Sequence, residues 1–163
     1  MYLKNKHYRY VLFIIYIITS ISVISCNHDK QSDVASCANW ACDDLIFEYE
    51  TDINRLNKYL IPDTIEVEDK KHFYRQLKRD GVAIEDKFSF ISLLTCLYTN
   101  DKNKQEVWKI NDELKDKISG LCEFYFNHPD YGDLQTGDLD TLTSYYNSLV
   151  SNIKRLQKIK IEL

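Results

Sequence analysis

The sequence predicts an all-α protein, a small bundle of about five helices that follows a signal peptide and a short tether. Apolar residues recur at helical spacing in five successive segments. Proline and glycine are scarce, with two prolines and four glycines in 163 residues. No run alternates apolar and polar residues over the length of a strand. The part after the tether, about 125 residues, is long enough for one hydrophobic core.

Two helices are predicted in the first half of this domain. The apolar stripe of the first is Leu45, Tyr49, Ile53, Leu56 and Tyr59/Leu60. Pro62 ends it, because proline cannot continue a helix. The second begins at a cap formed by Asp63 and Glu66 and ends at Gly81. Its apolar residues are Phe73, Tyr74 and Leu77.

Three more helices are predicted after Gly81. The stripe of the third is Phe88, Ile91, Leu94 or Thr95, and Tyr98. Asn103 and Glu106 cap the fourth, whose stripe is Val107, Ile110, Leu114, Ile118 and Leu121. The fifth runs from about Leu139 to Ile159, with Leu142, Tyr145 or Tyr146, Leu149, Ile153 and Leu156. Helices three and four should form an antiparallel hairpin that turns between Asn100 and Asn103.

The first 25 residues have the pattern of a secretory signal. Lys4, Lys6 and Arg9 precede an apolar core, and the first acidic residue is Asp29. The uncharged stretch from Arg9 to Asp29 is at the lower end of what spans a bilayer, so an uncleaved membrane anchor is the alternative.

The end of the apolar core resembles the lipobox of bacterial lipoproteins: Val23, Ile24 and Ser25 precede Cys26. The resemblance implies that Cys26 receives lipid, that a signal peptidase recognises the three residues before it, and that cleavage leaves Cys26 first. Domain bounds follow: a signal peptide at 1–25, lipidated cysteine and polar tether at 26–36, and a helical domain at 37–163. Two or three acyl chains would hold the protein stably on a membrane. Asn27, rather than Asp, favours the outer membrane of the bacterial envelope over the inner one.

The net charge of the chain without its signal peptide limits the classes of molecule that it can bind. Removing Lys4, Lys6 and Arg9 from 21 basic residues leaves 18 against 25 acidic residues, a formal charge of −7. This balance argues against a nucleic-acid surface and suits a basic protein partner; the alternative is an acidic soluble domain whose charge serves no partner. The expected partners are therefore membrane lipid, through Cys26, and a protein.

With Cys26 lipidated, an even number of cysteines remains: Cys37, Cys42, Cys96 and Cys122. An exported domain with four cysteines predicts at least one disulfide. The hairpin register would place Cys96 and Cys122 roughly 20 Å apart unless the fourth helix breaks at Gly120, so each is expected to pair with Cys37 or Cys42 instead. A local Cys37–Cys42 bond would require the first helix to start after Ala41. The alternative is that Cys96 and Cys122 are buried apolar residues.

Residue patterns for catalysis or metal binding are missing from the sequence. There is no C-x-x-C pair, and no serine or cysteine has a histidine partner in sequence. Asp130, Asp133, Asp138 and Asp140 surround two glycines but fit no calcium-loop register. A turn followed by an Asp138 or Asp140 helix cap explains them better. The prediction is a protein that is not an enzyme and needs no cofactor or metal.

Tyrosine is abundant, with twelve residues in the chain. The aromatic group Phe124, Tyr125, Phe126 and Tyr131 is the predicted partner surface, because a helix end and its loop cannot easily bury four rings.

Residues 87–110, "KFSFISLLTCLYTNDKNKQEVWKI", are similar to the helical hairpin of amidase-immunity proteins. The expected function is that of a membrane-anchored, non-enzymatic envelope lipoprotein, an inhibitor or immunity protein against a periplasmic toxin or cell-wall hydrolase. The alternative is a structural or accessory lipoprotein of an envelope assembly.

Overall fold

The computed structural model of the chain describes residues 30–82, 84–98 and 102–160. This part is 84 % helical and contains five α-helices without strands, as predicted. They are α1 (Lys30–Arg55), α2 (Val67–Val82), α3 (Ile84–Tyr98), α4 (Lys104–Asn127) and α5 (Asp138–Gln157). A π-helical turn, Leu56–Leu60, extends α1, and a 3-10 turn, Tyr131–Asp133, lies between α4 and α5. None of the described helices is both long and apolar enough to cross a membrane.

Helix α1 begins earlier than its apolar stripe predicts. The tether was expected to run to residue 36, whereas helical structure starts at Lys30. Two physical features favour the longer helix. Asp33 in the first turn interacts favourably with the helix dipole, and Ala38, one turn further on, is already buried. The other end agrees with the prediction: the backbone N–H of Ile61 bonds to the Leu56 carbonyl, and Pro62 follows.

Helix α2 packs across the end of the bundle that holds the π-helical turn. Its Phe73 ring stacks on Tyr59 with the ring centroids 3.9 Å apart. The helix ends at Val82, one residue beyond the predicted Gly81. Gly81 has a different role, because a Cβ there would lie 2.5 Å from Cε2 of Tyr125. The glycine lets α2 approach α4 closely.

Helices α3 and α4 form the predicted antiparallel hairpin. The Thr95 hydroxyl donates to Oδ1 of Asn111 across it at 3.2 Å, a register that places the turn near residue 103. Every stripe residue predicted for α4 is buried. Tyr98, at the end of α3, reaches α1, where its hydroxyl donates to Oδ1 of Asn39 at 2.9 Å.

Helix α5 completes the bundle by packing on both α1 and α4. It runs antiparallel to each: the Tyr146 ring lies 6.0 Å from that of Tyr49, while Gln157, later in α5, donates to Asp43, earlier in α1, at 2.7 Å. On the α4 side, Arg155 pairs with Glu106 at 2.8 Å and also with Glu113. Because α3 also contacts α1 and α4, helices α1 and α4 lie diagonally across a four-helix arrangement.

Candidate protein-binding surface

The lipobox residues Val23, Ile24 and Ser25, together with Cys26, lie outside the described residues. The start of α1 nonetheless limits how far the bundle can lie from Cys26. Lys30 is four residues further on, and extended chain covers at most about 3.5 Å per residue. The start of α1 is therefore within about 14 Å of Cys26.

The predicted disulfides do not form: none of Cys37, Cys42, Cys96 and Cys122 is joined in a disulfide in the described structure. Cys42 is buried, and its Sγ lies 3.6 Å from the Tyr98 hydroxyl. Burial raises the pKa of this thiol to about 11, against an opposing effect of the Tyr98 hydrogen bond. Cys42 is thus a protonated thiol in the core, whereas the sequence predicted that it forms a disulfide.

Helix geometry explains why the favoured pairings are wrong. Cys96 is two residues before Tyr98, the residue that faces α1, so it is rotated by about 200° and points away. It is exposed. Cys122 belongs to α4, which lies diagonally across the bundle from α1. Neither Cys96 nor Cys122 is joined to Cys37 or Cys42 in the described structure. The half-buried Cys122 packs against the core, whereas the exposed Cys96 contradicts the alternative prediction that both thiols are buried.

The predicted aromatic partner surface is divided between the core and the solvent. Phe124 and Tyr125 are buried, and Tyr131 is half-buried with its ring centroid 6.2 Å from that of Tyr74. Only Phe126 is exposed, by 85 %. Successive helical residues turn by about 100°, so three consecutive aromatics cannot share one face. The four rings do not form a common surface, and this prediction was wrong.

The acidic loop is a turn, as expected, although its helix cap differs. The Asp133 carboxylate accepts from the Asp130 backbone N–H at 2.8 Å, and that of Asp138 accepts from Gln135 at 2.6 Å. The N-cap of α5 is Gly137, whose φ of 95° favours glycine. Asp138 lies in the first turn and also faces Nε2 of His128 at 3.4 Å. The aspartates thus organise the connection between α4 and α5.

The structure identifies a different aromatic pair, Trp40 and Phe47 on α1. Trp40 is 58 % exposed and Phe47 is 70 % exposed. Seven residues bring a helix within about 20° of two full turns, so the two rings lie on one face about 10 Å apart along the axis. The buried residues of α1, such as Cys42 and Tyr49, face the opposite way. A comparison of aromatic positions with the apolar stripe would have found this pair.

Charge on α1 has a single sign over most of its length. Between Gln31 and Asn54 the helix has six carboxylates and neither lysine nor arginine. The carboxylates are Asp33, Asp43, Asp44, Glu48, Glu50 and Asp52. Their field reaches the core: burial raises the pKa of Tyr49 well above its ordinary value, and Glu48 and Asp52 raise it further. Asp52 is buried and paired with Arg55, and Glu50 is paired with Lys154. Asp33, Asp43 and Asp44 are exposed, and these three carboxylates make the outer side of α1 negative.

We call Trp40, Asp43, Asp44 and Phe47 the acidic aromatic face. Asp43 and Asp44 are exposed and lie between the two rings along the helix. Nε2 of Gln157, on α5, donates to Oδ1 of Asp43 at 2.7 Å, which holds this carboxylate at the edge of the face. Large apolar rings beside oriented carboxylates are suited to recognition of a basic protein surface.

Comparison of the chain with protein-family models, curated proteins and solved structures gave no significant match.

Proposed function

We propose that this chain is a lipid-anchored, non-enzymatic protein of the bacterial envelope that binds a basic protein outside the cytoplasm. Its best-supported role is that of an inhibitor or immunity protein, which occupies an exported toxin or cell-wall hydrolase. The observation that carries the proposal is the charge on the outer side of α1, where Asp33, Asp43 and Asp44 are exposed and residues 31–54 include neither lysine nor arginine. A field of one sign attracts a partner of the opposite sign and raises the association rate.

The bundle supports such a role because it holds α1 rigidly. The inner side of α1 is packed against α5 and α3. Its buried residues include Leu45, Tyr49 and Leu56. A helix that is already ordered loses little conformational entropy when it binds, so more of the contact energy contributes to affinity.

The anchor supports the proposed compartment. With lipid on Cys26, the start of α1 would stay within about 14 Å of the lipidated residue. The protein would then meet exported partners close to a membrane, and the outer membrane is favoured by Asn27. An inhibitor held there intercepts its target at the site where the target acts on the envelope.

We expect labelled palmitate to be incorporated into the wild-type chain and to be absent from Cys26→Ser, whose uncleaved precursor should accumulate. The reason is that the lipid is attached to this sulfur before cleavage. Cys96→Ser is the matched control, because Cys96 is an exposed thiol in the helical domain and its loss should leave labelling unchanged. Equal labelling of the wild type and Cys26→Ser would contradict the lipoprotein assignment. Cleavage of wild type without labelling would indicate an ordinary secretory signal.

We expect the full-length, detergent-extracted lipoprotein to capture one basic exported hydrolase at near-stoichiometric yield and to reduce its activity. Because the attraction is electrostatic, capture should weaken as salt rises. The double variant Asp43→Asn/Asp44→Asn should weaken capture further. Asp116→Asn, which removes the charge of an exposed carboxylate on α4, should have little effect. Recovery of envelope structural proteins alone would reject inhibition and favour the alternative role as an accessory lipoprotein.

A further inference from the structure

Large exposed apolar side chains are few in the described part of the chain, and α1 carries two of them on one face. The six are Trp40, Phe47, Ile61, Val67, Trp108 and Phe126. Trp108 and Phe126 are both on α4, but eighteen residues apart, which corresponds to about 27 Å along a helix. Trp40 and Phe47 are separated by about 10 Å, a distance that one partner groove can cover.

We infer that α1 is the docking element, and that Trp40 and Phe47 insert side by side into an apolar groove of the basic partner. Lysine or arginine residues at the rim of that groove would pair with Asp43 and Asp44. This inference rests on the proposed function for the charge of the partner, and adds the contact residues and the shape of the partner's site. Tryptophan at the centre of an interface commonly contributes a large share of the binding free energy.

Helix-in-groove binding requires apolar anchors at helical spacing, and i, i+7 is one of the recognised spacings. Trp40 and Phe47 satisfy it. The carboxylates between them set the polarity of the rim, and Asp43 is already oriented by Gln157 at 2.7 Å. On the α5 side of α1, Glu50 is paired with Lys154 at 2.7 Å, so that this carboxylate is already partly neutralised. The acidic aromatic face thus combines two exposed apolar anchors at helical spacing with two exposed carboxylates.

Charge also decides against the two other occupants of such a face. A bilayer with anionic lipids carries a negative surface potential that attracts lysine and arginine and repels carboxylates. A second copy of this chain would place Asp43 and Asp44 of each copy beside one another, and like charges at close range are unfavourable. A protein with a basic rim gains from the same charges.

Site-specific photo-crosslinking tests the contact in cells that produce the full, anchored chain. A benzophenone amino acid at position 47 should give one discrete adduct with a protein of basic isoelectric point. The control is position 126, where Phe126 is 85 % exposed on α4 and outside the face. A lipid adduct, an adduct of twice the chain's mass, or the same adduct at both positions would overturn the inference.

The partner identified by crosslinking is then purified without the crosslink and titrated against each variant. The affinities measure the contribution of Trp40 to binding. Trp40→Ala should weaken binding about 30-fold or more, the range of an interface hot spot. Trp108→Ala is the matched control, since Trp108 is 57 % exposed and Trp40 is 58 % exposed. Equal affinities of the two variants would overturn the inference. Circular dichroism of each variant confirms that the bundle is intact.

The outcomes separate this inference from the proposed function. A basic hydrolase that is captured and inhibited, but is crosslinked at position 126 and not at 47, overturns the docking element while inhibition stands. A basic protein without hydrolase or toxin activity that crosslinks at position 47 keeps the docking element and rejects inhibition.

Discussion

Tyr146→Ala is expected to lower the free energy of unfolding by about 3–5 kcal/mol, the range for removing a large buried ring. Tyr146 is fully buried where α1, α4 and α5 meet. Its ring lies 6.0 Å from that of Tyr49, and its hydroxyl lies 3.0 Å from that of Tyr125. Alanine would leave a cavity among three helices that are packed too closely to collapse fully. Urea denaturation followed by far-ultraviolet circular dichroism measures the change.

Two further variants test the cause. Tyr146→Phe keeps the ring and removes the hydroxyl bonded to Tyr125, and should cost about 1–2 kcal/mol. Tyr145→Ala changes the adjacent residue, which is half-buried against Gly120, and should cost about 1 kcal/mol. Similar losses in Tyr145→Ala and Tyr146→Ala would show that the buried ring is not central to the core.

Alkaline solution is expected to unfold the protein cooperatively at pH values above 10. The pKa of each of five tyrosines is raised above the ordinary value of 10.0, in every case mainly by burial. They are Tyr49, Tyr74, Tyr98, Tyr125 and Tyr146. Above pH 10 the unfolded chain releases protons that the native chain retains, so stability falls as pH rises. One proton corresponds to about 1.4 kcal/mol per pH unit, so five together can remove about 7 kcal/mol per unit.

Cys42 contributes with the same sign at slightly lower pH. Its pKa rises from 9.0 to about 11, so its contribution to stability is present below pH 9 and is lost between pH 9 and about 11. With a typical total stability of about 5–15 kcal/mol, unfolding should be complete within about two pH units above 10.

The measurement is a pH titration with two simultaneous signals, tyrosinate absorbance and helical circular dichroism. The five tyrosines should ionise as the helices unfold, so the two transitions should coincide. A urea-unfolded sample is the control, in which tyrosinate should appear near the ordinary pKa. Ionisation of all tyrosines near pH 10 with the helices intact would contradict the buried positions of the five rings.

Much of the fold could be predicted because helical periodicity is a local property. In α4, Val107, Ile110, Leu114, Ile118 and Leu121 are all buried, as their spacing predicts. The start of α1 could not be predicted in this way, because Lys30–Ser36 has no apolar stripe. Residues 30–36 are helical because they extend, toward the N-terminus, a helix that is packed in the core from Ala38 onward.

The candidate site could be predicted only in part. The acidic balance of the chain pointed to a basic partner, and that remains the proposal. The aromatic group at Phe124 was misassigned although a signal was present: the stripe through Ile118 and Leu121 continues to Tyr125 and turns it inward. In α1, the apolar stripe through Leu45 and Tyr49 faces the core, so Trp40 and Phe47 lie on the outer side. The sequence analysis did not predict these two residues as a surface.

By itself, the sequence determined the number and type of helices, the buried stripe of α4, most of that of α5 and the resemblance of residues 23–26 to a lipobox. Each of these depends on residues that are close together in the chain. Only the tertiary structure decided how the thiols are placed and which helices pack against one another. Those properties depend on contacts between distant segments, such as Cys42 with Tyr98 and Gly81 with Tyr125. The packing of α1 between α3 and α5 buries one side of the helix and leaves the acidic aromatic face in solvent.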